Sequence, residues 1–193
     1  FIRGFPAICN NMRNIFCIEG CWNNHPKSRL SIRPILELLN TFYGVKYIYR
    51  KCLSKEDFLA TLHTFTYKHY VNYPILYIAY HGLTNRICIG NDTITLKEIA
   101  DVLEGKTTGK IIHFGSCSTL NTSDRNITSF MKRTGCSHLS GYKKDVEYND
   151  SNAFELLYLH YLQNHISGID GKLKRLHPTL TNKLKFTIHS NVR

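Results

Sequence analysis

Short apolar runs alternate along the chain with stretches whose apolar positions recur every three or four residues, and the two kinds of segment follow one another in β-α-β order. Asn14 to Glu19 (NIFCIE) predicts a first strand. Ser31 to Phe42 places Ile32, Ile35, Leu36, Leu38 and Leu39 on one face and predicts a helix ending before Gly44. Val45 to Tyr49 predicts a second strand. Ser54 opens a helix through Leu59, Leu62 and Phe65, with Asp57 where a capping box puts its acid. Ile75 to Tyr80 (ILYIAY) is almost wholly apolar, the pattern of a central parallel strand covered on both faces. A hairpin, Arg86 to Ile89 and Thr93 to Thr95 around Gly90-Asn91-Asp92, precedes a helix from Leu96 to Leu103. Lys110 to Phe114 predicts the fourth strand, Arg125 to Arg133 a helix, Ser137 to Gly141 the fifth strand, and Asp150 to Gln163 a helix. A basic tail from Lys172 ends in a last strand at Lys185 to His189. No linker or repeat intervenes, so residues 1–193 are expected to form one three-layer α/β domain, a mostly parallel sheet with helices on both faces.

Composition narrows the class of protein. At 193 residues the chain is long enough to bury a core and short for two enzyme-sized domains. With 42% hydrophobic residues and no apolar stretch near the roughly 20 that a membrane helix needs, disorder and membrane spanning are excluded. The formal net charge of +11 permits anionic partners. The basic tail (Lys172, Lys174, Arg175, Lys183, Lys185) nevertheless lacks interleaved aromatics beyond Phe186, and a solvated face is expected there rather than a nucleic-acid groove. Seven cysteines, an odd set lying mostly inside apolar runs, read as reduced thiols of a cytoplasmic protein, and Phe1 to Asn11 lack the features of a secretory signal. Cys17, Cys21 and His25 have no second cluster to complete four zinc ligands, so no metal is expected.

In an open α/β sheet, chemistry gathers at the carboxyl ends of the central strands. The third strand ends in Tyr80-His81-Gly82, and the fourth is followed by Gly115-Ser116-Cys117-Ser118. If these strands are neighbours, an imidazole and a thiol meet at one edge of the sheet, the combination that activates a cysteine nucleophile. Gly82 leaves its N–H accessible, and the small residues before Cys117 let the chain turn so that the Cys117 N–H faces an attacked carbonyl. The two N–H groups would form an oxyanion hole, in which one donor is typically worth ~3 kcal/mol. His113, inside the fourth strand, is expected to pack, as are Tyr158, His160, Tyr161 and His165 on the last long helix.

The segments ILYIAYHG and KIIHFGSCST resemble the caspase-like cysteine peptidases, in which an apolar strand ends in His-Gly and the next in the catalytic Cys. The likeness is closer to the bacterial caspase-like and CHAT-type members than to animal caspases, whose Gln-Ala-Cys-Arg-Gly signature is replaced here by Gly115-Ser116-Cys117-Ser118-Thr119. The resemblance implies a caspase-like (flavodoxin-like) sheet. It makes Cys117 the nucleophile, His81 the general base and acid, and Gly82 an oxyanion donor, and it requires no cofactor. It also implies a protein or peptide substrate, activation by a protein partner, and a role in bacterial immunity or programmed death.

The pocket for the residue preceding the scissile bond is expected between the end of the first strand (Glu19 to Trp22) and the segment after the fifth (Tyr142 to Asp150). Glu19, Asp145 or Glu147 would there receive Arg or Lys, although Lys143 and Lys144 argue for the opposite preference and Glu19 would serve equally to cap a turn. Two other functions stay open at this point, a catalytically idle module that binds a protein through the same crevice and a basic module that binds nucleic acid.

Overall fold

The computed structural model describes residues 12–23, 29–164 and 167–191. In chain order its regular elements are β1 (Ile15–Glu19), α1 (Arg33–Tyr43), β2 (Tyr47–Lys51), α2 (Lys55–Phe65), β3 (Ile75–Ala79), β4 (His81–Leu83), β5 (Arg86–Ile89), β6 (Asp92–Thr95), α3 (Leu96–Leu103), β7 (Ile111–Phe114), α4 (Asp124–Thr134), β8 (His138–Tyr142), α5 (Tyr148–Asn164), α6 (Ile169–Leu176), α7 (Pro178–Leu184) and β9 (Phe186–Ser190). Six strands form one sheet in the order β2-β1-β3-β7-β8-β9, parallel except for β9 against β8. Residues of β4, β5 and β6 form a separate antiparallel sheet.

Strand alternation sorts the core into two layers. Phe16, Ile18, Leu76, Ile78, Ile112 and Phe114 pack with Phe58 and Leu62 of α2, Ile99 and Leu103 of α3 and Phe130 of α4. On the other face Ile15, Cys17, Ile75, Tyr77 and Ile111 meet Leu36 and Leu39 of α1 and Phe154, Tyr158 and Leu162 of α5. From β1 the chain passes to β2 on one side and later returns as β3 on the other, so strand order reverses between β1 and β3. That places a crevice at their carboxyl ends.

The structure departs from the expected elements at three places, each for a physical reason. Strand β2 begins at Tyr47 rather than Val45, because the Val45 N–H still bonds to the Leu39 carbonyl (3.4 Å) and register with β1 starts at Ile15 opposite Tyr47. His81 does not trail off the third strand; it opens β4, paired with Cys88 of β5. The basic tail folds first as α6 and α7, whose Ile169, Leu173 and Leu184 are buried. The reciprocal capping box forms at Thr95 and Glu98 (Glu98 N–H to Thr95 Oγ1 3.2 Å, Thr95 N–H to Glu98 Oε2 2.8 Å), while Ser54 receives the Asp57 N–H at 3.1 Å. Cys9, His25 and His165 and the residues before Met12 lie outside the described part, and the six described cysteines are free thiols.

One polar layer interrupts the α5 side of the core. Glu155, 2% exposed, accepts from the hydroxyls of Tyr77 and Tyr142 and stands 3.5 Å from His113 Nε2; His113 Nδ1 and the Tyr158 hydroxyl meet at Ser140 Oγ (3.0 and 2.8 Å). His113 is thus buried packing, as its strand position suggests. Burial lowers His113 from 6.5 to about 3, which leaves it neutral near pH 7, and raises Glu155 well above 4.5, with the charge of Glu19 adding to the latter, which favours the protonated carboxyl. The folded state therefore holds a proton on Glu155 that the unfolded chain releases above pH 4.5, and its contribution to stability falls as pH rises through that range. His113 works in the opposite sense: the unfolded chain binds its proton more readily, and stability is lost as pH falls below 6.5. Glu155→Gln removes the first dependence. As pH rises above 4.5, the unfolding free energy of Glu155→Gln is expected to gain on that of the wild type in urea titrations. A constant difference would show Glu155 ionised in the folded protein.

Candidate active site

The third, first and fourth parallel strands of the crevice deliver His81, Trp22 and Cys117 to one edge. Tyr80 fixes the approach to His81. Its hydroxyl donates to the Cys52 carbonyl (3.0 Å), its ring meets Phe58 edge-on, and its N–H donates to Ser116 Oγ (3.3 Å). The next residue, His81, is exposed, and its Nε2 lies 2.7 Å from the Trp22 carbonyl oxygen. A carbonyl only accepts, so Nε2 carries the hydrogen and, in the neutral ring, Nδ1 keeps the free lone pair. The Trp22 indole also sits edge-on to the imidazole at 5.4 Å.

Cys117 is fastened from the opposite side. Gly115 donates to the Ile78 carbonyl (2.9 Å), prolonging β7, and a side chain here would strike Tyr77 Cε2 at 2.6 Å and Glu155 Oε1 at 2.8 Å. Ser118 takes a left-handed φ of 52°, uncommon without glycine, and is held there by its N–H to the Lys144 carbonyl (3.0 Å) and its Oγ to Asp145 (2.7 Å). The Cys117 thiol is half-buried, and its sulfur receives the Val146 N–H at 3.4 Å, a bond that a thiolate accepts more strongly than a thiol.

His81 and Cys117 line one cavity of about 100 Å³ together with Trp22, Ile32, Gly115, Val146, Tyr148, Ser151, Asn152 and Glu155. Both segments expected to wall it contribute, Trp22 from the first and Val146 and Tyr148 from the second. Gly82 meets the nucleophile's backbone: a Cβ there would lie 2.2 Å from the Cys117 carbonyl oxygen and 2.3 Å from Thr119 Oγ1. The two candidate oxyanion donors therefore belong to segments in direct contact.

The three acids expected to receive a basic side chain are placed otherwise. Glu19 is 1% exposed, and its two oxygens take the Trp22 indole N–H (2.5 Å), the Ile32 N–H (2.7 Å), the Ser31 hydroxyl (2.6 Å) and the Tyr49 hydroxyl. Four donors leave it no capacity for a ligand, and it holds the β1 end against the start of α1. Asp145 is exposed and engaged by Ser118, Glu147 is exposed, and neither lines the cavity. The sequence reading passed over the Trp22 carbonyl and the Val146 N–H, backbone groups that no residue type advertises, and Glu155, which lies three helical positions from Asn152 on the face of α5 that floors the cavity. Among the described residues no group of three or more His, Cys, Asp or Glu side chains has metal-site geometry.

A family of unknown function, DUF6642, has a model that matches residues 12–190, nearly the whole chain. No curated protein matches.

The contact at Gly82 makes a direct prediction. Gly82→Ala is expected to lower stability by about 1–3 kcal/mol in urea unfolding, because the obstructing atom is backbone and cannot swing aside. Gly171→Ala, in α6 with nothing within 4 Å of the new Cβ, is the control and is expected to be neutral or stabilising. Equal effects at the two positions would remove the proposed fit between Gly82 and the Cys117 turn.

Proposed function

We propose that the chain, which belongs to the DUF6642 family, is a cysteine-type endopeptidase that hydrolyses peptide bonds through Cys117 and His81. The observation that carries this reading is the shared cavity, in which a half-buried thiol and an imidazole oriented by the Trp22 carbonyl stand at the carboxyl ends of adjacent parallel strands. His81 Nδ1 takes the thiol proton, and the sulfur of Cys117 attacks the peptide carbonyl. The carbonyl oxygen collects negative charge in front of the Gly82 and Cys117 N–H groups. The imidazolium then protonates the departing amine, leaving an acyl thioester, which a water deprotonated by the same ring hydrolyses. Fixing Nε2 on a carbonyl suits this cycle, since the protonated ring keeps that bond while Nδ1 alternates between base and acid.

The six free cysteines support a reducing, cytoplasmic setting, and no described helix is long and apolar enough to cross a membrane. Activation by a protein partner and a role in bacterial immunity or programmed death rest on the resemblance of ILYIAYHG and KIIHFGSCST alone.

Cys21, exposed at the same edge, supplies an internal standard for the test. Brief treatment with limiting iodoacetamide near neutral pH, followed by peptide mass mapping, is expected to label Cys117 at least ~10-fold faster than Cys21. His81→Ala is expected to erase that advantage. Labelling of Cys117 at the pace of Cys21, or unaffected by His81→Ala, would argue for a catalytically idle crevice.

A further inference from the structure

Resting on the peptidase reading, we propose that the cavity beside Cys117 receives an uncharged, mainly apolar side chain of about the size of Leu or Met from the residue whose carbonyl is attacked. The walls are Trp22, Ile32, Val146 and Tyr148, all carbon-rich, and since an apolar cavity of about 150 Å³ takes up benzene, a volume of about 100 Å³ has room for roughly four heavy atoms. A side chain of four heavy atoms fills that space, and the displaced water makes its entry favourable.

Apart from the reacting pair, His81 and Cys117, charge finds no free partner there. The carboxylate on the floor, Glu155, has 3% of its side chain exposed, and each oxygen is already engaged by a tyrosine hydroxyl, Tyr77 on one and Tyr142 on the other. Burial pushes that carboxyl well above its usual range, which favours its neutral form. Glu19 faces four donors of its own, and Asp145, Glu147, Lys143 and Lys144 do not line the space. A Lys or Arg side chain would lose its hydration with no free carboxylate opposite, and an Asp or Glu would meet only His81, whose Nε2 is held by the Trp22 carbonyl, so entry of either charge is unfavourable. Ser151 spends its hydroxyl on the Tyr148 carbonyl (3.1 Å), and Asn152 is the neutral polar group at the cavity, compatible with the polarisable sulfur of Met.

The test uses three peptidyl chloromethyl ketones identical except for Leu, Lys or Asp at the end bearing the electrophile. Cys117 sulfur forms a bond to the methylene carbon as the carbon–chlorine bond breaks and chloride leaves, and the adduct is located by peptide mass mapping. The Leu probe is expected to modify Cys117 at least ~10-fold faster than the Lys or Asp probe. Asn152→Asp, which sets an ionisable carboxylate at the cavity, is expected to raise the Lys rate at least ~10-fold relative to Leu, whereas Glu155→Gln is expected to leave the Leu-to-Lys ratio unchanged. Equal or faster reaction of the Lys or Asp probe, with Cys117 still modified ahead of Cys21, overturns the apolar preference and leaves the peptidase reading intact. A Lys reaction abolished by Glu155→Gln would assign the cation to Glu155 and overturn it too. If none of the three modifies Cys117 ahead of Cys21, the peptidase reading falls and the preference with it.

Discussion

Two carboxylate oxygens at the end of β1 receive four hydrogen bonds, and the geometry of the crevice hangs on them. Burying an ion without partners costs several kcal/mol, so the Glu19 side chain is tolerable only while the Trp22 indole, the Ser31 and Tyr49 hydroxyls and the Ile32 N–H stay in place. Those donors come from three segments, the turn after β1, the start of α1 and strand β2. Trp22 carries the carbonyl that orients His81, and Ser31 exchanges hydrogen bonds with Tyr148, its N–H donating to the tyrosine oxygen and its carbonyl accepting from the hydroxyl, both at 3.0 Å. One acid thus ties the base, one cavity wall and the entry to α5 to the same sheet edge. Its negative charge reaches further, adding to burial in raising Glu155 well above the usual carboxyl range and so favouring a neutral cavity floor.

The other half of the site is held by contact of backbone with backbone. Cys117 belongs to the main sheet, because Ser118 and Leu120 donate to carbonyls at and beyond the end of β8 (Lys144 at 3.0 Å, Tyr142 at 3.1 Å). His81 belongs to the small sheet through its pairing with Cys88. The two frames are joined where Asn85 N–H donates to the Thr119 carbonyl (3.2 Å), where Thr119 Oγ1 approaches the Arg86 carbonyl (3.4 Å), and where Gly82 rests on the Cys117 carbonyl. A side chain at Gly82 would wedge these frames apart, which is why a position with no side chain of its own governs the separation of base and nucleophile.

Strands and their ends were readable because burial on both faces forces an unbroken apolar run, and a run that stops abruptly at His81-Gly82 or Gly115-Ser116 marks the crevice. Three-residue β4 escapes such a reading, since His81 to Leu83 is shorter than any period that alternation can establish and exists only because β5 offers it an edge. Helices α6 and α7 were hidden by their lysines, whose charged faces outnumber the buried Ile169, Leu173 and Leu184. Glu19 was noticed for its charge and left between two roles, a receiver of a basic side chain and the cap of a turn, and the structure gives it donors from the turn and beyond. Its donors lie 3, 12, 13 and 30 positions away, and nothing in one-dimensional spacing reveals that they converge.

That convergence also explains why a strongly basic chain presents a crevice without free charge. The acids nearest the cavity are withdrawn from it, Glu19 by saturation with donors, Glu155 by burial that favours its neutral form and Asp145 by Ser118. An apolar wall beside Cys117 and His81 leaves few dipoles aimed at the pair, here the Val146 N–H on sulfur and the Trp22 carbonyl on the imidazole, and a side chain that displaces water from the cavity would strengthen them. On the proposed peptidase reading, the scarcity of free charge there leaves little for a substrate to pair with, and discrimination would come from how well a side chain fills the space between Trp22 and Tyr148.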